Sequence, residues 1–213
     1  MVLLLCTVFL PCSDLVAAVV PVGMFPTSTV ITFAGLTNGT VMNGATVSGV
    51  TFNYDLGAIV IGGGPGLSNN IDPPALITSG FATALGNLTM LLPYPTTTFG
   101  YGFSLASSVT LATGTTISVF DGSTFLGSLG YPSSPDPSFT GGFAGIRSTL
   151  PFDRVVATFS GGSLAFAVDN IRIGDTPEPS TILLASSGIV SVCARSRRNA
   201  RKRPCSQTGN PSG

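Results

Sequence analysis

Apolar and polar side chains alternate in several short stretches of this chain. Near its C-terminal third, the large apolar residues Leu164, Phe166 and Val168 are separated by alanine or aspartate at positions 165, 167 and 169. Residues 99–105 carry an aromatic residue or leucine at every second position. Because neighbouring side chains of a strand point to opposite faces, this period of two predicts β-strands.

Comparable runs recur along the chain, and glycine or proline interrupts them. None shows a helical period, so the pattern favours an all-β domain. We predict a two-sheet antiparallel β-sandwich that is jelly-roll-like, with an apolar helix near the C-terminus. The predicted strands are residues 30–36, 49–54, 58–61, 89–92, 99–105, 109–111, 116–120, 125–129, 142–146, 154–159 and 164–173.

The N-terminal segment is apolar from Val2 to Val20, apart from a few polar residues. Val16-Ala17-Ala18 offers small residues that suit cleavage, so residues 1–18 are predicted to be a secretory signal peptide. No Lys or Arg precedes the apolar stretch, unlike a typical signal. The alternative interpretation is a buried N-terminal strand or helix.

Charge is distributed unevenly along the chain. Charged residues make up 8% of the sequence, and six of the nine basic residues lie between Arg195 and Arg203. Residues 19–175 keep three arginines against seven aspartates, a charge of about −4. Because phosphate contacts need clustered Lys or Arg, we expect no nucleic-acid partner for this body. All four cysteines lie outside it, so a disulfide framework is excluded there.

The C-terminal segment combines three features in order. Pro177, Glu178 and Pro179 form a stiff, extended motif. Residues 182–194 follow without a charge, and the basic cluster with Arg195, Arg197 and Arg198 comes next. Under the positive-inside rule, an apolar helix followed by arginines leaves its basic end in the cytoplasm. The alternative is a surface helix with a basic, disordered tail.

This three-part order resembles the PEP-CTERM sorting signal. In that family, Pro177, Glu178 and Pro179 would be the sorting motif, and Arg195, Arg197 and Arg198 the basic stop. The resemblance implies an exopolysaccharide-producing bacterium and export of the protein. It also implies a transient inner-membrane anchor through residues 181–194, and processing by an exosortase-type enzyme. The expected final location is the cell surface or the extracellular space. The apolar run is short for a membrane span, and a polar extension follows the arginines.

The expected organisation is therefore a signal peptide (1–18), a linker (19–28), a β-sandwich (29–175), a sorting signal (176–203) and a disordered tail (204–213). The body also resembles domains that commonly precede this signal. They begin with an Ile-x-Phe-x-x-Leu strand and end with a Phe-x-x-Asp-Asn-Ile strand, which match residues 31–36 and 166–171 here. We expect these two strands to pair and close the domain.

The residue types argue against catalysis. The chain contains no histidine, which excludes Ser-His-Asp and Cys-His arrangements and histidine-ligated zinc. Glu178, the only glutamate, lies in the sorting motif. A hydrolase using paired carboxylates would have to draw them from aspartates such as Asp121, Asp153 and Asp169. We expect instead that these aspartates cap turns by accepting bonds from nearby amides, and we predict no enzyme activity and no cofactor.

Two binding sites remain open from the sequence. Calcium prefers carboxylate and carbonyl oxygens, and Asp169 and Asn170 are the candidate ligands. Sugars stack on exposed aromatic rings, and Tyr94 and Tyr131 lie beside prolines in predicted loops. The leading hypothesis is a non-enzymatic surface or extracellular-matrix protein. The alternative is a carbohydrate-binding module for exopolysaccharide.

Overall fold

A computed structural model of the chain describes residues 17–27, 29–64, 70–80, 85–135 and 139–174. These residues form eleven β-strands and no helix, so none of them belongs to a helix long and apolar enough to cross a membrane. The predicted all-β, antiparallel class is confirmed. The sorting motif, the apolar segment 181–194 and most of the predicted signal peptide lie outside the described residues.

The strands are short near the N-terminus and long in the middle of the chain. They are β1 (Val19–Pro21), β2 (Thr29–Ile31), β3 (Thr46–Val47), β4 (Val50–Tyr54), β5 (Ile59–Gly62), β6 (Ala75–Thr78), β7 (Asn87–Leu105), β8 (Leu111–Asp121), β9 (Thr124–Pro135), β10 (Thr140–Phe159) and β11 (Phe166–Ile173).

Two long strands, β7 with 19 residues and β10 with 20, run through the centre of the sheet. The main order is β5-β6-β11-β7-β10-β8-β9, and every pairing is antiparallel. The first half of β7 pairs with β4 and the end of β10, whereas its second half pairs with β11 and the start of β10. The β-rich body is consistent with the predicted β-sandwich, but its strands are not divided between two separate hydrogen-bonded sheets. Hydrogen bonds join all the strands, because β7 and β10 change neighbours along their length.

Aromatic side chains fill the core. Phe99, Tyr101 and Phe103 on β7 are fully buried and pack edge to face, with ring centroids 6.1 and 6.3 Å apart. The Tyr101 hydroxyl lies 2.6 Å from Thr115 Oγ1, which itself donates to the Thr158 carbonyl at 3.1 Å. The period of two predicted for residues 99–105 thus identifies a buried face correctly.

The two strands expected to close the domain do pair. Ile171 lies opposite Ile31, and Ile173 lies opposite Thr29, in an antiparallel register. The predicted linker needs correction, because Val19–Pro21 forms β1 and pairs with Ser148, Arg147 and Ile146 of β10.

Both faces of β11 are covered. Phe166 and Val168 belong to the main core, and Phe166 stacks on Phe159 with centroids 4.0 Å apart. On the opposite face, Ala167 packs with Ile71 and Ala75. The pairing of β11 with β6 therefore carries the segment before β6 across the face where Asp169 lies.

Candidate functional site

The candidate site is built on an irregularity in β11. Asp169 lies opposite Gly102 of β7, but the pairing resumes only at Arg172, opposite Gly100. Between them, Asn170 has a φ of 50°. Asparagine tolerates this left-handed conformation better than most residues. Such a bulge changes the direction of the side chains around it, so the Asp169-Asn170 pair marks a local departure from the ladder.

Asp169 is fully buried, with 0% of its surface exposed. Its Oδ2 accepts a hydrogen bond from the Asp72 amide at 3.0 Å, whereas its Oδ1 has no hydrogen-bond partner among the described residues. Burial raises the pKa of the Asp169 carboxyl to about 6. The amides of Asp72, Asn170 and Phe33 partly oppose this shift, and the negative charge of Asp72 adds to it. Asp169 is therefore a buried carboxyl group whose negative charge is only partly stabilised by hydrogen bonds.

A second carboxyl group and a backbone carbonyl lie beside it. The Asn170 side-chain amide donates to the Asn70 carbonyl at 3.1 Å and to Asp72 Oδ2 at 3.3 Å. We call Asn70, Asp72, Asp169 and Asn170 the Asp169 cluster. A Cβ on Gly102 would lie 2.0 Å from the Asn70 carbonyl oxygen, so only glycine lets the segment approach β7 this closely.

The sequence predicted only two of the four residues of this cluster. Asp169 and Asn170 were the predicted metal ligands, and the structure places them beside Asp72, which that analysis had not singled out. The expectation that Asp169 bonds a nearby amide covers only part of its surroundings, since it also accepts a bond from the Asp72 amide, 97 positions away. Within the described ranges, no three His, Cys, Asp or Glu side chains group as a metal site. Any cation held here would need carbonyl or water oxygens besides the two carboxylates.

The aspartates proposed as a hydrolytic pair have different surroundings. Asp153 Oδ1 accepts a hydrogen bond from the amide of Gly122, which lies 31 residues earlier in the turn between β8 and β9, at 2.9 Å. It therefore fixes a turn, but not the neighbouring one that was predicted. Asp121 is exposed at the end of β8. The carboxyl group that interacts with Asp169 is that of Asp72.

The two tyrosines predicted to contact sugar are not equivalent. Tyr131 is only 8% exposed and donates its hydroxyl hydrogen bond to the Gly145 carbonyl, so the prediction of an exposed ring is wrong there. Burial raises the pKa of Tyr131 to about 12. Tyr94 is partly buried, and its hydroxyl lies 3.3 Å from Thr29 Oγ1.

An exposed aromatic ring occurs elsewhere, at the turn between β8 and β9. Phe125 is 57% exposed and packs against Phe120 with ring centroids 5.4 Å apart. The Arg154 guanidinium lies 4.0 Å above the Phe120 ring and donates to the Gly122 carbonyl at 2.9 and 3.1 Å. We call this arrangement the Phe125 turn. No signal in the sequence distinguishes Phe125 from the phenylalanines that are buried.

Comparison with known proteins identifies the C-terminal segment. Residues 175–198 match the family model described as the PEP-CTERM protein-sorting motif. The chain carries a PEP-CTERM sorting motif. The match includes Pro177, Glu178 and Pro179 together with Arg195, Arg197 and Arg198, so the predicted signal is confirmed. The motif indicates an exported protein that is sorted through the membrane.

The body has no comparably specific match. No curated protein matches the sequence. Among solved structures, a variant of CBM29-2, a family 29 carbohydrate-binding module, covers 66% of this chain and 93% of its own, with 14% identity and a TM-score of 0.40. Another CBM29-2 variant, complexed with mannohexaose, covers 64% and 91%, with 13% identity and a TM-score of 0.39. Similarity at this level identifies no ligand for this chain.

Proposed function

We propose that this chain is a non-enzymatic surface or extracellular-matrix protein of an exopolysaccharide-producing bacterium. Its apolar C-terminal segment holds it transiently in the inner membrane. An exosortase-type enzyme then processes it near Pro177-Glu178-Pro179, and the β-rich body reaches the cell surface or the medium. The observation that carries this proposal is the match of residues 175–198 to the PEP-CTERM motif.

The residues of the body support a role without catalysis. The chain has no histidine, and its one glutamate is Glu178 in the sorting motif. Asp153 is engaged in fixing a turn. Residues 19–175 lack histidine, cysteine, glutamate and lysine, which often serve in general acid–base or nucleophilic chemistry, so aspartates are their only carboxylates.

The test is to express the full chain with and without an exosortase-type enzyme, and to measure intact mass in membrane and medium fractions. With the enzyme, we expect a released species that lacks residues 195–203. Replacing Pro177-Glu178-Pro179 by three alanines should leave the unprocessed protein in the membrane fraction. The same replacement at Ser206-Gln207-Thr208 is the control. A released species that keeps residues 195–203, or protein confined to the cytoplasm, would refute the proposal.

Carbohydrate binding is the second candidate function, and the exposed ring of Phe125 favours it. Sugar faces stack on aromatic rings that are exposed and held in place. Phe120, Arg154 and the bonds to Gly122 hold this turn. The neighbouring Asp121 is exposed and offers a carboxylate for sugar hydroxyls.

A pull-down of the full chain with the producing cell's own exopolysaccharide tests this role. Phe125→Ala should reduce retention, because it removes the exposed ring on which a sugar face would stack. Val109→Ala, which alters another exposed apolar residue, should not change retention. Equal retention of all three proteins, or none by the unaltered chain, rejects carbohydrate binding at this turn and leaves the sorting proposal intact.

A further inference from the structure

The unpaired oxygen of Asp169 is the feature of the body that most needs a partner. Buried carboxylates are normally bonded through both oxygens or paired with a cation. Here Oδ1 has no hydrogen bond among the described residues, although the side chain is completely buried. Among the described residues, Asp169 Oδ1 is therefore a buried acceptor without a hydrogen-bond donor.

The charges around the cluster are a second reason to expect a partner for the Asp169 carboxylate. The charge that bears on Asp169 is that of Asp72, another carboxylate. Arg172, three residues further along β11, donates to the Phe25 carbonyl at 3.1 Å rather than to either carboxyl group. Two aspartates are thus brought together without a cation from the described part of this chain, which is unfavourable unless a proton or metal ion neutralises one of them.

The oxygen atoms converge from two elements. The Asp72 amide bonds Asp169 Oδ2, which places the Asp72 backbone against the Asp169 carboxylate. Asn170 draws the Asn70 carbonyl and Asp72 Oδ2 to within 3.1 and 3.3 Å of one nitrogen atom. The absence of a side chain at Gly102 permits this approach. A carboxylate and a carbonyl oxygen of this segment therefore lie against Asn170, the residue next to Asp169.

We propose that the Asp169 cluster binds a calcium ion, with Asp169 Oδ1 and the Asp72 carboxylate as its charged ligands. The Asn70 carbonyl and water are the candidates for the remaining positions. Calcium accepts six to eight oxygen ligands in irregular geometry, whereas magnesium demands a near-ideal octahedron. The body contains neither histidine nor cysteine, so nitrogen- and sulfur-seeking metals have no ligand there. This site does not depend on the sorting proposal.

The bound ion would connect parts of the fold that are distant in sequence. Asp72 and Asp169 are 97 residues apart, and only the pairing of β6 with β11 brings them together. Calcium at this point would fix the segment before β6 onto β11. The role is structural, and its measurable consequence is a folded state whose stability depends on calcium.

The test uses the full chain, stripped with EDTA and titrated with CaCl₂ by calorimetry and thermal unfolding. Extracellular calcium sites have dissociation constants of about 0.1–1 mM. With a value near 0.1 mM, 10 mM CaCl₂ should raise the Tm by about 5–10 °C. We expect calorimetry to give one calcium per chain. MgCl₂ and NaCl at matched ionic strength should produce a much smaller rise.

Substitutions locate the site. Asp169→Asn should lower calcium affinity about tenfold or more, because it removes a charged ligand with little change in shape. Asp72→Asn changes an exposed residue, so it should fold even if the first variant does not, and it should also weaken binding. Asp121→Asn removes an equal charge from another exposed position and should bind calcium normally.

Three outcomes would overturn the proposal. The first is the absence of a calorimetric calcium signal. The second is an equal Tm response to CaCl₂ and MgCl₂. The third is calcium binding that neither Asp169→Asn nor Asp72→Asn weakens. In any of these cases, a proton or a buried water is the partner of Oδ1.

Discussion

Neutralising Asp169 should stabilise this protein when calcium is removed. At pH 7 in EDTA, the Asp169 carboxylate is ionised, buried and bonded through only one oxygen. Asp169→Asn keeps the shape of the side chain and an oxygen that can accept from the Asp72 amide, but it removes the charge. The substitution should therefore increase the free energy of unfolding, whereas most changes at buried positions decrease it.

The magnitude follows from the pKa of the carboxyl group. A rise from 3.8 to about 6 corresponds to an upper limit of about 3 kcal/mol for the cost of ionisation, at about 1.4 kcal/mol for each pKa unit. The new amide nitrogen can also lack a partner, at a cost of about 1–3 kcal/mol. We expect a net stabilisation of up to about 2 kcal/mol at pH 7 in EDTA.

The contribution of Asp169 to stability changes with pH in the opposite direction to that of a salt-bridged aspartate. The folded pKa lies above the unfolded one, so between pH 3.8 and about 6 the folded state binds more protons. Stability of the unaltered protein should therefore fall as the pH rises through this window, and this contribution should level off above it. Asp169→Asn should lack this component, so its advantage should disappear near pH 4.

Urea unfolding in EDTA at pH 4 and pH 7 measures both effects. Asp121→Asn, an exposed position, controls for the general loss of one negative charge. If Asp169→Asn were destabilising at pH 7 and equally so at pH 4, the carboxylate would have a favourable partner and the reasoning would be refuted. Adding calcium should reduce the advantage of Asp169→Asn, because calcium stabilises the unaltered site more than the altered one.

Three further predictions concern the core around the site. Tyr101→Phe should cost about 1 kcal/mol, whereas Thr115→Val should cost about 1–3 kcal/mol, because the second change leaves the buried phenol without its acceptor and removes one donor from the Thr158 carbonyl; urea unfolding compares them. Gly102→Ala places a Cβ 2.0 Å from the Asn70 oxygen, so it should lower stability by about 1–3 kcal/mol and abolish the calcium response in thermal unfolding. Burial raises the pKa of Tyr131 from 10.0 to about 12, so its contribution to stability should be retained below pH 10 and lost as the pH rises towards 12; absorbance at 295 nm and unfolding at each pH would test this.

Local sequence patterns predicted the strands better than their connections. The alternation at residues 99–105 identified a buried face because large side chains recur there at every second position. It did not reveal that the opposite face is also covered, since Gly100 and Gly102 are small and give no hydrophobic signal, although both are buried. The pairing of β2 with β11 was predictable because each strand carries a recognisable run near one end of the body.

The two long strands were each predicted as two short ones. Pro93 and Pro95 suggested a break in β7, and Pro151 suggested one in β10. Proline cannot donate to a strand ladder, so it is excluded where pairing is continuous. In this fold, Pro93 and Pro95 lie between the two stretches of β7 that pair with β10, next to a register shift. The prolines mark a bend within a strand rather than its end, and composition alone does not distinguish these cases.

The Asp169 cluster was half predictable for a related reason. Asp169 and Asn170 are adjacent, so their oxygens could be assigned to one site from the sequence. Asp72 lies 97 residues earlier and reaches them only because β6 pairs with β11. The short β6 had no alternating pattern from which that pairing could be inferred. A partner supplied by the fold in this way is detectable only once the sheet order is known.

The proposed calcium site and the sorting motif together explain why the buried charge of Asp169 has so little stabilisation from the rest of the chain. A site with a dissociation constant of about 0.1–1 mM fills where calcium is abundant, as it is outside cells. The PEP-CTERM motif indicates that this chain is exported. Before export, the Asp169 carboxylate would be buried without a cation, and the folded body would be less stable by the cost of that charge. After export, calcium would neutralise the cluster and fix the segment before β6 onto β11. The same two aspartates would therefore make the folded state more stable at its destination than at its place of synthesis.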